Sequence, residues 1–390
     1  MSFSYLPKVK VKECRLCCIK SELISESLGV CVRCVKDKPD DALPYIREAH
    51  RSVRERLGLP EEPPKNPNGI PCNLCSNMCH MGVGEKGFCG LRENTRGKVT
   101  AKVKPNLGLL HYYLDPQVTN CCAAWFCPAG TGAGFPKYAC RKGPEHGYYN
   151  LAIFFYGCNF DCLFCQNASH KNLSSASSAN LEDLVDTTVV NERISCWCFF
   201  GGSPEPQLPF AINASRKVLE TVGARRVLRI CFEWNGAGNP RLVKEAAELA
   251  LVSGGNLKFD LKTFNPSLSH ALSGVSNMRT YENFKMVYDG FYNQRPELPL
   301  LTATTLMVPG YVDEVEVDQI AGFIATFSPS IPYSLLIFHP HFMMRDLPVT
   351  PIEQIERCFK TARKHLKEVH IGNLPLVGYR SMNEFMLKLA

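Results

Sequence analysis

From about residue 149 onward, short apolar runs alternate with longer amphipathic stretches. The runs 151–156, 194–200, 227–232, 257–261, 301–308 and 333–338, with a last one at 369–371, have the length and composition of buried strands. Between them, stretches such as 182–190, 209–222, 240–251, 315–327 and 351–366 carry apolar residues at helical spacing. This alternation predicts right-handed βα units around a parallel sheet, either open and doubly wound or closed into a full or partial barrel.

Upstream the texture is different, because cysteines rather than apolar periodicity organise the chain. In residues 1–60, Cys14-x2-Cys17 and Cys31-x2-Cys34 precede a helical pattern at 41–57. Two such knuckles can bring four thiolates into a tetrahedron, and zinc would stabilise a segment too small for a core of its own. A zinc-ribbon-like module is therefore expected, with Cys18 packing as a small apolar residue. Prolines 60, 63, 64, 67 and 71 then break any periodicity and read as a linker. In residues 61–148, Cys72, Cys75, Cys79 and Cys89 supply a second set of four thiols, enough for zinc or an auxiliary cluster. Cys121, Cys122, Cys127 and Cys140 follow with looser spacing, which leaves metal binding by that group open.

In a βα fold the reactive face lies at the carboxyl ends of the strands, and here unusual polar residues fall at those ends. The first strand runs into Cys158-x3-Cys162-x2-Cys165. Three close thiolates with no obvious fourth suit a 4Fe-4S cluster with one iron left open, because a closed structural site wants four ligands. A structural metal knuckle completed by a distant cysteine is the alternative. The second strand is followed by Gly201 and Gly202, whose lack of Cβ lets backbone approach a ligand closely. The third ends in Glu233, Asn235 and Gly236, and Asp260 and Lys262 share one side of the fourth. Val308-Pro-Gly follows the fifth and His339 the sixth. Singly, each has an ordinary structural explanation: a turn, a surface ion pair, a strand end, a core histidine. Cys196 and Cys198 share a strand face and are expected to pack; Cys231 and Cys358 are isolated.

These residues together resemble the radical SAM superfamily. The loop from Gly157 to Asn167 is similar to the cluster loop of proteins close to the pyruvate formate-lyase activating enzyme. The pattern from Cys72, through Gly87-Phe88-Cys89, Arg92-Glu93-Asn94 and Asp260-Leu-Lys262-Thr-Phe264 to Gly372-Asn373, resembles the radical SAM component of the AmmeMemoRadiSam system. The resemblance covers about residues 70–375 and implies a partial (β/α)6 barrel over 149–390. It implies that Cys158, Cys162 and Cys165 hold a 4Fe-4S cluster whose open iron takes S-adenosylmethionine (SAM). Phe164 and Val308 would lie against the adenine, Gly201 and Gly202 would accept the SAM amino group, and Asp260 and Lys262 would contact SAM, with Lys262 near its carboxylate. His339 would approach the ribose. The match departs at Ser203, which stands where a glutamate usually follows the two glycines; Glu205 comes two residues later.

Composition changes the picture little. A chain of 390 residues with 45% apolar content can bury a large core. Its first residues lack an apolar h-region, and nothing approaches the roughly 18 to 20 apolar residues of a bilayer span, so a cytoplasmic protein without membrane contact is expected. Twenty cysteines in C-x2-C groupings then read as metal and cluster ligands in a reducing compartment, and oxygen sensitivity follows. The formal charge of +7 does not indicate nucleic acid, since two Zn(Cys)4 sites would lower it by about 4. The expected function is reductive SAM cleavage to a 5'-deoxyadenosyl radical that abstracts hydrogen from a protein or other macromolecular substrate, with ferredoxin or flavodoxin as electron donor. A radical SAM methyltransferase or maturase is the first alternative. A non-catalytic zinc-ribbon binding protein is the second. The amino-terminal module, lying outside the resemblance and before the prolines, is expected to be dispensable for the radical step.

Overall fold

The computed structural model describes residues 10–223 and 225–389. An antiparallel pair, β1 (Lys12–Glu13) and β2 (Lys20–Ser21), leads into α1 (Val32–Asp37) and α2 (Pro39–Arg56). Two further antiparallel pairs follow, β3 (Ile70–Cys72) with β4 (Cys79–Met81) and β5 (Arg92–Thr95) with β6 (Lys98–Ala101). Next come the long β7 (Leu107–Pro116) and the short α3 (Pro128–Thr131). The βα region runs β8 (Tyr149–Phe155), β9 (Ser178–Asn180), α4 (Leu181–Val190), β10 (Ile194–Gly201), α5 (Leu208–Val222), β11 (Arg229–Trp234), α6 (Pro240–Ser253) and β12 (Leu257–Asp260). It continues with α7 (Pro266–Ser273), α8 (Met278–Phe291), β13 (Leu301–Met307), α9 (Glu314–Ala325), β14 (Tyr333–Ile337), α10 (Ile352–His365), β15 (Val369–Gly372) and α11 (Met382–Leu389).

One sheet carries the order β15-β14-β13-β12-β11-β10-β8-β7-β9. The strands from β8 and β10 through β15 are parallel, as the alternating pattern predicts, and each expected strand forms within a few residues of its expected bounds. The sheet does not close on itself, which is the partial-barrel architecture. Its β8 edge is extended by β7, paired antiparallel to β8, and by β9; neither was expected.

Strand periodicity divides the residues between two faces. Trp197 and Phe199 of β10, Phe232 and Trp234 of β11, and Leu257 and Phe259 of β12 belong to a large apolar core with Val218 of α5, Val243 and Ala247 of α6 and Phe284 of α8. The opposite register positions are thiols and charges: Cys196 and Cys198, Arg229, Cys231 and Glu233, Lys258 and Asp260. They face the barrel interior. Segment 117–147 fills it from below, with Arg229 donating to Glu145 through two bonds of 2.9 and 2.6 Å and to the Tyr138 carbonyl at 2.8 Å.

The amino-terminal module is built into this body. A second apolar core joins Ile24, Leu28, Val35, Ile46 and Val53 to Phe160, Leu163 and Phe164 of the cysteine loop, to Leu268 and Leu272 of α7, and to Tyr311. The buried Tyr311 hydroxyl donates to the Val30 carbonyl at 2.8 Å and accepts from the Ser25 amide at 3.0 Å. Lys12 pairs with Asp346 at 2.8 Å, and Lys36 with the fully buried Glu316 at 2.6 Å. Packing of this kind argues against dispensability: the linker prolines break periodicity without separating two bodies.

A chain beginning at Pro60 should therefore lose at least about 3 to 5 kcal/mol, the scale of a buried ion pair stripped of its partners. Denaturant unfolding against the full chain checks this. An unchanged midpoint would mean that the module is a passenger.

Candidate active site and cysteine centres

The loop after β8 is held in place by its own backbone. Asp161 and Leu163 amides donate to the carbonyls of Ser273 and Leu272 at 2.8 and 2.9 Å, so the carboxyl end of α7 forms its bed. That helix starts with the Asn265 side chain accepting from the Leu268 amide at 3.0 Å and stops at Gly274, φ +72°. The sequence Asn-Pro at its start and Gly at its end was a readable signal for α7.

Between the cysteines sits Asp161, 1% exposed, with three cationic or polar partners: Lys171 Nζ at 2.6 Å, His50 Nδ1 at 2.8 Å and Arg54 at 3.5 Å. Burial alone would raise this carboxyl, but Lys171, His50 and Arg54 outweigh it and hold it below the usual carboxylate range. His50 and Arg54 both come from α2. Arg54 also donates to the Phe88 carbonyl at 2.6 Å and lies 3.5 Å over the Phe88 ring, which joins the Cys72–Cys89 region to the same node. None of these partners was singled out from the sequence, because they are up to 111 residues apart.

Cys158, Cys162 and Cys165 line one cavity of about 200 Å³ together with Phe164, Gly201, Gly202, Asp260 and Lys262. Phe164 is in place, with Lys262 Nζ 5.5 Å from its ring centre. Asp260 and Lys262 are hydrogen-bonded to each other. Burial opposes the charge on Lys262, but Asp260 and the nearby thiols of Cys162 and Cys165 more than compensate and keep its pKa above the usual lysine range. Burial drives the Cys158 and Cys162 thiols upward. Gly202 has φ +65°, and a Cβ there would lie 1.6 Å from the Phe155 carbonyl oxygen, so no side chain fits. Three thiols beside a lysine–aspartate pair fit the donor set of an iron-sulfur cluster and an amino-acid carboxylate.

His339 and Val308 are not brought to this cavity. Val308 is fully buried in the second core and His339 is exposed; the corresponding strands contribute Leu306 and Leu336 instead. Both lie past the ends of their strands: the Val308 amide turns back to the Leu306 carbonyl at 2.9 Å, and His339 follows the end of β14 at Ile337. Glu205, fully buried, accepts from the Gly236 amide at 2.7 Å and ties the loop after β10 to the loop after β11. Burial pushes its carboxyl up to about 7. Asn235, in the same loop, donates to Ser203 at 2.9 Å, to Asn159 at 2.7 Å and lies 3.9 Å from Cys158 Sγ.

The amino-terminal cysteines are drawn together more tightly. Cys14 and Cys34 sulfurs are 3.8 Å apart and Cys17 and Cys31 3.7 Å. An S–S edge around one ion with bonds of about 2.3 Å is about 3.8 Å. Burial works against ionisation of Cys14, but amides of Cys17, Cys31 and Leu16 outweigh it and bring the thiol down to about 6. Cys72 and Cys79 face each other across β3 and β4; burial, and after it the neighbouring Cys89, raises the Cys75 thiol, and burial raises that of Cys89. Cys140 leaves the third group: its amide donates to Glu145 at 2.8 Å, while Cys121 and Cys122 gather with Glu233 and Cys127 joins Cys196, Cys198 and Cys231 around an inner cavity.

Residues 152–324 match the Radical SAM superfamily. The matched residues are a radical SAM domain. That family implies a 4Fe-4S cluster and SAM as cofactors, and the match supports an enzyme of the radical SAM class over a non-catalytic binding protein. Over 157 residues the chain is 34% identical to the isethionate sulfite-lyase activating enzyme of Desulfovibrio desulfuricans, covering 38% of this chain and 45% of that protein. The chain thus spans about half the length of that relative. Over 343 residues it is 25% identical to an uncharacterized protein of Methanocaldococcus jannaschii, covering 82% of this chain and 85% of the other. Among solved structures, a domain of pyruvate-formate lyase-activating enzyme from Bacteroides vulgatus aligns over 45% of this chain and 98% of its own, at 18% identity and TM-score 0.35. Among the described residues no helix is long and apolar enough to cross a membrane.

Asp161→Asn should cost about 3 to 5 kcal/mol, because it leaves buried cations without their counter-charge. The pH dependence has a definite sign. A carboxyl depressed in the native state stabilises above its unfolded value near 4, and that contribution is lost as pH falls through the lower native value. The stability gap between wild type and Asp161→Asn should therefore begin to narrow below about pH 4 and close as pH falls toward the depressed native value. A gap that persists unchanged to low pH would show that the carboxylate's charge is not what is lost.

Proposed function

We propose that this enzyme cleaves SAM reductively in the cavity after β8, β10 and β12 and uses the resulting radical to take a hydrogen atom from a protein substrate, in the manner of an activating enzyme. The carrying observation is that Cys158, Cys162 and Cys165 line one cavity with Gly201, Gly202, Asp260 and Lys262. The cluster, when bound by the three thiolates, supplies the electron that breaks the sulfonium C–S bond and leaves a 5'-deoxyadenosyl radical. Everything else falls to the chain. Lys262, fixed by Asp260 and stacked over Phe164, offers a buried ammonium to the SAM carboxylate. Gly201 and Gly202 leave their backbone free for the SAM amino group, and Phe164 presents an apolar face to the adenine. Asn235 and Glu205 brace the two glycine loops against each other. Enclosure by Leu306, Leu336 and Trp234 keeps water from a reactive intermediate.

A protein substrate is supported by the open β15 edge, where a wider cavity of about 560 Å³ shares Gln166, Phe200, Glu233 and Leu336 with the inner one. The name of the Desulfovibrio relative, an activating enzyme, agrees with this reading. Ferredoxin or flavodoxin is the proposed donor. Zinc is the proposed occupant of Cys14, Cys17, Cys31 and Cys34, whose sulfur spacing suits a single ion, and Cys72, Cys75, Cys79 and Cys89 are proposed to hold zinc or an auxiliary cluster.

Single alanine substitutions of Cys158, Cys162 or Cys165 should abolish 5'-deoxyadenosine formation after anaerobic reconstitution. Near-normal turnover by any one of them would remove that cysteine from the set. Lys262→Met should weaken SAM binding by about 10- to 150-fold, the equivalent of a lost charge-assisted bond of 1.5 to 3 kcal/mol, with iron content unchanged. Equal affinity in the two proteins would reduce Lys262 to a structural partner of Asp260.

A further inference from the structure

We infer that Cys121, Cys122 and Glu233 form a mononuclear site for a thiophilic dication, Zn²⁺ or Fe²⁺, with an open coordination position facing the substrate cavity. The two sulfurs and a carboxylate oxygen all lie within 4.8 Å of one another. Cys121 Sγ is 4.0 Å from Glu233 Oε2. These separations are within a small side-chain rotation of the roughly 3.8 Å edge expected around one ion.

The surroundings hold the ligands as a metal site would. Lys258, 1% exposed, places its ammonium 3.0 Å from Cys121 Sγ, 3.3 Å from Glu233 Oε2 and 3.2 Å from Cys198 Sγ. Thr304 Oγ1 lies 3.3 Å from Cys122 Sγ, and the Ala123 amide donates to Cys121 Sγ at 3.4 Å. Trp125 pins the loop by donating to Ser334 Oγ at 3.0 Å and stacking on His370 at 5.2 Å. Ligation would hold both thiols and the carboxyl as anions against the one ammonium of Lys258, and a dication offsets that excess negative charge. Cysteines that merely packed would need neither the carboxylate nor the lysine aimed at their sulfurs. The second-sphere donors onto both thiols are what orient first ligands at known metal sites.

All three ligands border the wide cavity, and Glu233 also borders the one assigned to SAM. Three protein ligands leave the fourth position of a tetrahedral ion open, as catalytic zinc sites do. That position would take an oxygen or nitrogen donor of the substrate and hold it beside the SAM cavity. This last role rests on the proposed function; metal binding does not.

The test uses the full chain, purified anaerobically, with zinc and iron measured per chain. Cys121→Ser/Cys122→Ser should hold one metal ion fewer than wild type, and Co²⁺ added to metal-depleted protein should show a correspondingly weaker thiolate-to-cobalt absorption. Glu233→Gln, of nearly the same size, should release that ion at about tenfold lower chelator concentration, as expected for losing one charged ligand contact. Equal metal content and equal cobalt absorption in a folded double variant would overturn the site. If the double variant does not fold, unchanged chelator resistance in Glu233→Gln overturns it instead. Neither readout involves SAM cleavage, so failure here is separable from failure of the radical reading.

Discussion

The buried carboxylate of Asp161 is the node on which the site depends. It sits between Cys158 and Cys162, and its three partners come from α2 and from Lys171 just downstream of the loop. With α2 removed this buried charge would keep only Lys171, so docking of α2 stabilises the loop in this conformation. Arg54 extends the same node to Phe88, one residue before Cys89. Three cysteine-rich segments of different sequence character are thus tied to one ionic cluster, and the amino-terminal module is a structural support of the Cys158–Cys165 loop.

The second constraint is the inner face of the sheet. Parallel strands covered on both faces are usually apolar throughout, yet here alternate positions of β10, β11 and β12 carry thiols, an arginine, a glutamate and a lysine. Segment 117–147 makes this tolerable by supplying partners: Glu145 neutralises Arg229, and Cys121 approaches Lys258, which also pairs with Glu233 of β11. Towards the carboxyl ends of the strands the same face opens into the two contiguous cavities. The polar interior is continuous from the plug to the proposed SAM site, which is what places a metal-binding arrangement next to the radical chemistry.

Much of this was legible in the sequence. Strand and helix periods gave the βα region, and the spacing of Cys158, Cys162 and Cys165, with Asp260 and Lys262 at a strand end, located the cavity. What was not legible follows from distance or from register. His50 and Arg54 meet Asp161 across more than 100 residues, and no local pattern announces such a contact. Cys231 looked isolated along the chain because its neighbours, Cys127, Cys196 and Cys198, lie on other elements. The inward positions Leu306 and Leu336, rather than Val308 and His339, depend on where each strand ends, the least certain feature of any pattern-based reading. The strand β7 did carry alternating Leu110, Tyr112 and Leu114, but its antiparallel pairing with β8 lies outside the βα rule.

The central claim is that one cluster held by Cys158, Cys162 and Cys165 binds SAM directly, within reach of Lys262. Low-temperature electron paramagnetic resonance of the reduced, anaerobically reconstituted full chain tests it most directly, recorded with and without SAM. A reduced 4Fe-4S signal whose shape changes when SAM is added, and which is missing from Cys162→Ala, is the predicted result. A signal that SAM leaves unaltered in the full chain, or that survives in Cys162→Ala and still responds to SAM, would contradict it.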